Sequence, residues 1–324
     1  AALMGVGVSL ALGIGFTSIL AAATSAPDVA LSLHHLVMPK LPPTPDMPPE
    51  LRADYKFKRD GHVLVMGGLL HVPTAFRSDD GSFDLYMHFH GNPTVVKESA
   101  NGASLNALVY TVNLGNGSGP YEEKYSVVGI FEQTVNKILE TVKTRGLKEA
   151  KVRRVAVGSW SAGYGALSRV LNVEANVERI DSVLVMDGIH AAYLDPKTKV
   201  VDPVRLAPFL RFAKLAADGK RLFSISHSEI GGMTYASTQE TADALLREVG
   251  AERAAAKQTP PRITIPPLLA ALPKPQEAWL EQTTEAKTGE LHVRGYSGQT
   301  PDQHMAHLVQ MSVTVLPDLV ERWR

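Results

Sequence analysis

The amino-acid sequence predicts an α/β fold in which a doubly wound, mostly parallel sheet of about eight strands carries helices on both faces. Two observations indicate this fold class. Short strand-like apolar segments alternate with longer segments whose apolar residues recur at helical spacing, the order that produces parallel sheets. The segments at 152–157 and 182–186, in the middle of that order, end in continuous apolar runs, as buried parallel strands do. With 324 residues, 44% of them hydrophobic, the chain can form one large α/β domain or two small ones.

The elements follow one another regularly along the chain. The first two strands flank Arg59-Asp60-Gly61, which is typical of a hairpin turn. The first helix is predicted from apolar residues spaced three to five apart between Val127 and Val142. The predicted strands are 55–58, 62–66, 83–90, 108–114, 152–158, 180–186, 222–226 and 291–296, and the predicted helices are 127–142, 162–171, 204–217, 238–249 and 304–320.

Composition excludes several classes of function. Lys plus Arg and Asp plus Glu each total 33, so the chain lacks the basic excess of a nucleic-acid-binding protein. The 324 residues include no cysteine, which excludes a disulfide framework, a Cys-ligated metal site and a Cys nucleophile. No cofactor is expected, and no nucleic-acid partner.

The first 26 residues are predicted to be an export signal. No Asp, Glu, Lys or Arg precedes Asp28, and the apolar run Leu3–Ala23 ends in small residues that include Thr24-Ser25-Ala26. Such an apolar run followed by a small-x-small site is typical of secretory signals. At about 20 residues the run is also long enough for an uncleaved membrane anchor, and a buried core helix is the third alternative. We therefore expect a periplasmic or secreted protein, in contact with a membrane only through this segment.

Two proline-rich stretches divide the rest of the chain. Residues 27–50 contain Pro42, Pro43, Pro45, Pro48 and Pro49, and they are predicted to be an extended linker because proline donates no backbone N–H and restricts φ. The globular domain is assigned to 51–324. Within it, 259–276 is again rich in proline and is interpreted either as a surface loop or as a lid.

A serine at a strand-to-helix turn is the main candidate for chemistry. The sequence Gly158-Ser159-Trp160-Ser161-Ala162-Gly163 joins a predicted buried strand to a predicted helix. A serine in so sharp a turn needs small neighbours, and Gly163 satisfies that need. An ordinary turn with small packing residues is the alternative. The segment resembles the nucleophile elbow of the α/β-hydrolases, Gly-x-Ser-x-Gly, with Ser159 in place of the first glycine.

The resemblance to the α/β-hydrolase superfamily extends from about Tyr55 to the C-terminus, and it implies roles for further residues. Its specific motifs are His90-Gly91, Ser161-x-Gly163 and the late His304. It implies that Ser161 is the nucleophile and that the backbone N–H groups of Asn92 and Ala162 form the oxyanion hole.

The resemblance also implies a base and an acid that follow the serine in chain order. His304, just after the last predicted strand, is the expected base, and His307, one helical turn later, is the second candidate. For the acid, Asp187 ends the sixth strand and Glu229 follows the seventh. Asp187 is preferred because its shorter side chain lies at the mouth of a buried strand and is followed by Gly188.

The function implied is a serine hydrolase that cleaves carboxylic esters through a Ser161-His304-Asp187 triad and an acyl-enzyme. Its substrate is a small-molecule or polymeric ester. Two alternatives stay open. One is a metal-dependent hydrolase that uses His88 and His90, which alternate on one predicted strand and would project from the same face. The other is a non-catalytic binding protein with the same fold.

Overall fold

A mixed ten-stranded sheet forms the centre of the described part of the chain. The computed structural model describes residues 63–232, 234–263 and 279–324. The strands are β1 (Val63–Val65), β2 (Gly68–His71), β3 (Ser82–Phe89), β4 (Leu108–Val112), β5 (Lys151–Trp160), β6 (Ile180–Met186), β7 (Ala191–Asp195), β8 (Val200–Val201), β9 (Leu222–His227), β10 (Tyr235–Ala236), β11 (Ala254–Gln258), β12 (Gln282–Thr288) and β13 (Leu291–Tyr296). The large sheet has the order β1-β2-β4-β3-β5-β6-β9-β13-β12-β11, and β10-β7-β8 form a small separate sheet.

The six strands from β4 to β13 in that order are parallel, and antiparallel strands extend the sheet at both edges. The prediction of about eight strands is therefore wrong, since the sheet has ten. The sheet is also mixed, because four of its ten strands are antiparallel additions at the two edges. Strands β2, β11 and β12 of this sheet were not predicted from the sequence. The β12 sequence, Gln-Thr-Thr-Glu-Ala-Lys-Thr, is polar and lacks the apolar run that marks a buried strand.

Helices cover both faces of the sheet, as expected. They are α1 (Pro93–Gly102), α2 (Gly119–Ser126), α3 (Ile130–Thr144), α4 (Tyr164–Val170), α5 (Glu174–Arg179), α6 (Pro203–Ala217), α7 (Thr238–Val249), α8 (Pro301–Val309), α9 (Met311–Thr314) and α10 (Leu316–Arg322). Side chains alternate across the central strands: Leu85 and Met87 of β3 join the core under α2–α7, whereas Tyr86 joins the core under α1 and α8–α10. Each face of the sheet thus has its own apolar core.

Several boundaries differ from the sequence prediction for local reasons. The predicted helix 304–320 is part of three short helices between Pro301 and Arg322. Pro317 is the second residue of the last of them, where the missing proline N–H leaves no hydrogen bond that would continue the preceding helix. At the other end, Val63–Val65 pairs with Gly68–His71 through a turn at Met66-Gly67, where both residues have positive φ. The predicted hairpin partner at 55–58 lies outside the described residues.

Other predicted segments also lie outside the described residues: the export or anchor segment 1–26, the linker 27–50, and residues 264–276 of the proline-rich segment 259–276. Within the described ranges, no helix is long and apolar enough to cross a membrane. The carboxyl ends of the parallel strands meet at one edge of the sheet, and the candidate residues come together there.

Candidate functional site

Ser161 lies where β5 ends and a single 3₁₀ turn, Ser161–Gly163, leads into α4. Its backbone has φ 48°, in the left-handed region that non-glycine residues rarely adopt. Such a conformation costs of order 1 kcal/mol and persists only where the surroundings enforce it. The turn therefore has the strained geometry expected of a nucleophile elbow.

The small neighbours of Ser161 are required by close packing. A Cβ on Gly163 would lie 2.1 Å from the carbonyl oxygen of Phe89, at the end of β3. Ser159, at the position of the first glycine of the family pattern, is buried on β5, and its Oγ has no hydrogen-bond partner within the described ranges. The departure from the pattern is accommodated without disturbing the strand.

His304 and Asp187 are joined by a short hydrogen bond. The Nδ1–H of His304 donates to Asp187 Oδ2 at 2.6 Å, across 117 residues of sequence. The side chain of Asp187 is 2% exposed and that of His304 is 12% exposed. Since Nδ1 carries the proton toward a carboxylate, Nε2 is left with its lone pair, which is the form that can accept a proton from a nucleophile.

The second oxygen of Asp187 is held by three further donors. Oδ1 accepts hydrogen bonds from the Ser228 N–H at 2.8 Å, the Ser228 hydroxyl at 2.9 Å and the Thr238 hydroxyl at 2.8 Å. Thr238 is also the first residue of α7, so the positive end of that helix dipole lies beside the carboxylate. The carboxylate is thus held in one orientation, with Oδ2 toward His304.

These contacts also determine the charge of Asp187. Burial by itself raises the pKa of Asp187, but the imidazoles of His307 and His304 and the Ser228 N–H lower it, and the net effect holds the pKa of Asp187 well below its usual range. The group is an anion at neutral pH. It is therefore suited to stabilise an imidazolium at His304.

The indole of Trp160 also contacts His304, through a hydrogen bond and a ring contact. Its Nε1–H donates to the carbonyl oxygen of His304 at 2.9 Å, and the two rings lie 4.8 Å apart. Trp160 also stacks on His90, with ring centroids 5.0 Å apart. Because Trp160 directly precedes Ser161, these contacts bring His304, the elbow and the loop after β3 together.

The loops after β5 and β6 pack against each other. A Cβ on Gly188 would lie 3.2 Å from the carbonyl oxygen of Ser161, so the residue after Asp187 approaches the elbow closely. The hydroxyl of Ser161 makes no hydrogen bond to His304 in this arrangement. Nucleophile–base hydrogen bonds are often loose before substrate binds and tighten in the complex.

The loop after β3 contains Asn92, which was expected to supply one N–H of the oxyanion hole. His90 and Gly91 have φ 67° and 132°, so the chain turns sharply before Asn92. Asn92 then caps α1 through its side chain, which accepts a hydrogen bond from the Thr94 N–H at 2.8 Å. That cap sets the orientation of the peptide at Asn92. The second expected donor, the N–H of Ala162, belongs to the first turn after Ser161, where backbone N–H groups have no partner within the helix.

The structure distinguishes between the candidate acids and between the candidate bases. Glu229 is exposed, and its carboxylate accepts from the backbone N–H of Gly298 at 3.3 Å rather than facing His304. His307 is fully buried and its Nδ1 pairs with the Ser226 hydroxyl at 3.0 Å. Only Asp187 and His304 form a carboxylate–imidazole pair among these four.

The histidines of the metal-site alternative are used otherwise. The β3 strand ends at Phe89, so the alternation that would place His88 and His90 on one face stops before His90. His88 Nε2–H donates to the His90 carbonyl at 2.8 Å, and its Nδ1 accepts from Tyr86 at 2.9 Å. Burial lowers the pKa of His88 to about 3. Nor do the described residues contain a group of three or more His, Asp or Glu side chains that could hold a metal ion.

Three residues of the site were missed by the sequence analysis: Trp160, Ser228 and Thr238. Ser228 could have been found from its position, since it follows a buried strand on the same edge of the sheet as Asp187. Thr238 could not, because the loop before α7 brings it to the carboxylate. Trp160 is an aromatic residue between two serines, and only its contacts with His90 and His304 reveal its role.

Comparisons with known proteins give only distant similarities. No protein-family model matches the chain, and no curated protein matches it either. A search of solved structures finds an acylaminoacyl peptidase from Pyrococcus horikoshii, with 15% identity and a TM-score of 0.36. The match covers 59% of this chain and 35% of the peptidase. It also finds an esterase from Thermogutta terrifontis phosphonylated by sarin (10%, TM-score 0.34; 56% of this chain, 74% of that one). A siderophore hydrolase from Aspergillus nidulans matches over 81% of this chain and 94% of its own, with 11% identity and a TM-score of 0.42. The chain thus spans about a third of the length of the peptidase, and similarities at this level do not establish a family.

Proposed function

We propose that the protein is a serine hydrolase that cleaves carboxylic esters, with Ser161 as nucleophile, His304 as base and Asp187 as acid. The observation that carries the proposal is the 2.6 Å hydrogen bond from His304 Nδ1 to the buried Asp187, formed beside a serine in a left-handed turn. A nucleophile, a base and a group that orients the base, contributed by three different strand ends, are the signature of this mechanism.

In the acylation step, Ser161 Oγ attacks the ester carbonyl carbon while His304 Nε2 takes the hydroxyl proton. The carbonyl oxygen becomes an oxyanion, which the N–H groups of Asn92 and Ala162 stabilise. The imidazolium then gives its proton to the alkoxide leaving group, and the acyl group remains on Ser161.

Deacylation repeats the sequence with water. His304 removes a proton from the water as it attacks the acyl-enzyme, and Ser161 Oγ leaves with the proton that the imidazolium returns to it. Throughout, Asp187 remains ionised and keeps His304 in the tautomer that presents a lone pair at Nε2. No cofactor takes part in either half of the reaction.

The decisive experiment labels the protein with a fluorophosphonate probe and measures p-nitrophenyl butanoate hydrolysis. We expect Ser161→Ala to lose both. The matched control is Ser159→Ala, two residues away on the same strand end, whose buried hydroxyl has no hydrogen-bond partner within the described ranges and so can be removed at little cost. Labelling that persists in Ser161→Ala, or hydrolysis that depends on a chelatable metal, contradicts the proposal. A folded protein with neither labelling nor hydrolysis supports a binding protein instead.

We propose in addition that residues 1–26 export the protein and that it acts outside the cytoplasm. The charge-free apolar run and the small residues at 24–26 support this. Mass spectrometry of protein recovered from culture medium and from membranes tests it. A mature N-terminus near residue 27 in the medium supports cleavage, and an intact segment in the membrane supports an anchor.

A further inference from the structure

The small sheet β10-β7-β8 has its first strand, β7, four residues after Asp187, and it exposes apolar side chains to solvent. In its β10–β7 pair, Ala236 lies opposite Ala191, and both are buried. The neighbouring pair, Tyr235 opposite Ala192, faces the other way, since side chains alternate along a strand and directly paired residues share a face. Ala192 is exposed and Tyr235 is half-buried.

Larger aliphatic side chains are exposed on the same small sheet. Leu194, two residues after Ala192 on β7, is 68% exposed, and Val200 of β8 is 48% exposed. The Asp202 N–H donates to the Ala192 carbonyl at 2.9 Å, which brings the start of α6 and its 77% exposed Val204 beside the sheet. We call this surface the apolar platform; its residues are Ala192, Leu194, Val200, Val204 and Tyr235. Single exposed apolar residues are common, but several of them gathered on one small sheet and at the start of the adjoining helix indicate a binding surface.

The platform is continuous with the proposed active site through two ring contacts. Tyr235 meets the edge of His190 at 5.3 Å, and His190 meets Tyr164 at 5.4 Å. His190 is three residues after Asp187, and Tyr164 is three residues after Ser161. Burial lowers the pKa of His190 to about 4, so its ring is uncharged at neutral pH. A row of three rings in contact therefore connects Tyr164, next to the elbow, with Tyr235 of the platform.

The charges around the platform balance. The acids are satisfied within the protein: Asp195 accepts from the Lys197 N–H, Asp202 caps α6, and Glu240 accepts from the Tyr193 hydroxyl. The charged residues nearest the platform in sequence or by contact are Lys197, Lys199, Arg205, Asp195, Asp202 and Glu240. Three positive and three negative groups leave no net field to attract an ionic surface or headgroup. The chemistry of the face fits an uncharged aliphatic ligand.

We infer that the apolar platform binds the aliphatic chain of long-chain ester substrates, with the ester carbonyl at Ser161 and the chain passing His190 and Tyr235 to reach Leu194 and Val200. The inference rests on the proposed function, because the chain is placed relative to that nucleophile. We expect a butanoyl chain to end before the rings and a decanoyl chain to reach the platform. Chain-length preference is therefore the property that the platform controls.

The test compares kcat/KM for p-nitrophenyl decanoate and butanoate, each below the concentration at which it aggregates, in wild type and in the double variant Leu194→Ser/Val200→Ser. Both positions are exposed, and substitutions there disturb folding little. Each buried methylene is worth about 0.8 kcal/mol, so losing part of two side-chain contacts should lower kcat/KM for decanoate about fivefold. The butanoate value should stay within about twofold of wild type on the same grounds. Val128→Ser, a 93% exposed valine in the α2–α3 loop, is the matched control and should change neither.

A parallel series with butyl and decyl acetate places the chain on the alcohol side of the ester. A selective loss for the long chain in either series supports the inference. Equal values for variant and wild type in both series, or equal losses for short and long chains, overturn it. A changed oligomeric state in light scattering, or lost binding to phosphatidylcholine vesicles, with unchanged chain-length ratios also overturns it, since the face would then bind another copy or a lipid surface. Butanoate hydrolysis that survives Ser161→Ala refutes the proposed function instead, so the two failures can be told apart.

Discussion

Replacing Asp187 by asparagine should trap His304 in the wrong tautomer while leaving the fold intact. The three donors around Oδ1 decide how the new amide is oriented. The two hydroxyls can turn to accept, but the Ser228 N–H at 2.8 Å can only donate, and an NH₂ group placed against it would leave both unsatisfied at a cost of about 1–3 kcal/mol. The amide oxygen must therefore take the Oδ1 position.

The NH₂ group of the asparagine then occupies the Oδ2 position, 2.6 Å from His304 Nδ1. Facing a donor, Nδ1 becomes an acceptor and the ring proton moves to Nε2. A ring protonated there cannot take the proton of Ser161, and the imidazolium also loses its counter-charge. The same substitution in a Ser-His-Asp protease of another fold lowers kcat about 10⁴-fold. We expect a similar loss here, or about 5.5 kcal/mol of transition-state stabilisation at 1.36 kcal/mol per factor of ten.

The assay is p-nitrophenyl butanoate hydrolysis with parallel fluorophosphonate labelling, and circular dichroism confirms that the variant is folded. Glu229→Gln is the matched control, because it removes the competing carboxylate from an exposed position and should leave kcat within about twofold. A folded Asp187→Asn variant within about tenfold of wild type would refute the tautomer argument. A larger loss in Glu229→Gln than in Asp187→Asn would reassign the acid.

Three further substitutions test packing and charge. Gly163→Ala places a Cβ 2.1 Å from the Phe89 carbonyl oxygen, so it should lower stability by about 1–3 kcal/mol and slow labelling; unchanged values would show that the elbow can relax. Asp318→Ala leaves Arg294, its bidentate partner at 2.6 and 2.8 Å, with an uncompensated charge. The free energy of unfolding measured in urea should fall by about 3–5 kcal/mol, and a fall of less than about 1 kcal/mol would contradict this. Burial lowers the pKa of His307 to about 4. Between about pH 6.5 and pH 4, His307 therefore gains a proton in the unfolded state but not in the folded state, and the free energy of unfolding should fall by about 3 kcal/mol over that range. His307→Gln should flatten that part of the pH profile, and an unaltered slope would show that other groups cause it.

The regular elements could be predicted where pattern and capping agree. The strand 180–186, the helix 238–249 and the strand 291–296 have the predicted bounds, and the helix begins with a capping box between Ser237 and Glu240 that the sequence itself encodes. Elements without an apolar pattern were missed. The polar strand Gln282–Thr288, which lies between β13 and the edge strand β11, and the two-residue strands of the small sheet are stabilised by pairing with other strands, which no local pattern reports.

Of the proposed site, the sequence by itself determined the candidates and their order: a serine at a strand-to-helix turn, then a carboxylate and a histidine after later strands. It left Asp187 against Glu229 and His304 against His307 open. Only the tertiary structure shows that Asp187 and His304 are the two that pair, because both carboxylates follow adjacent strands of one sheet and the direction of each side chain depends on its loop. The backbone of Asp187, at φ 43°, turns its carboxylate inward to Ser228, Thr238 and His304, whereas the backbone hydrogen bond from Glu229 to Gly298 keeps Glu229 at the surface. The distance between Asp187 and His304, which are 117 residues apart in the sequence, depends on how the sheet assembles and cannot be predicted from the local sequence.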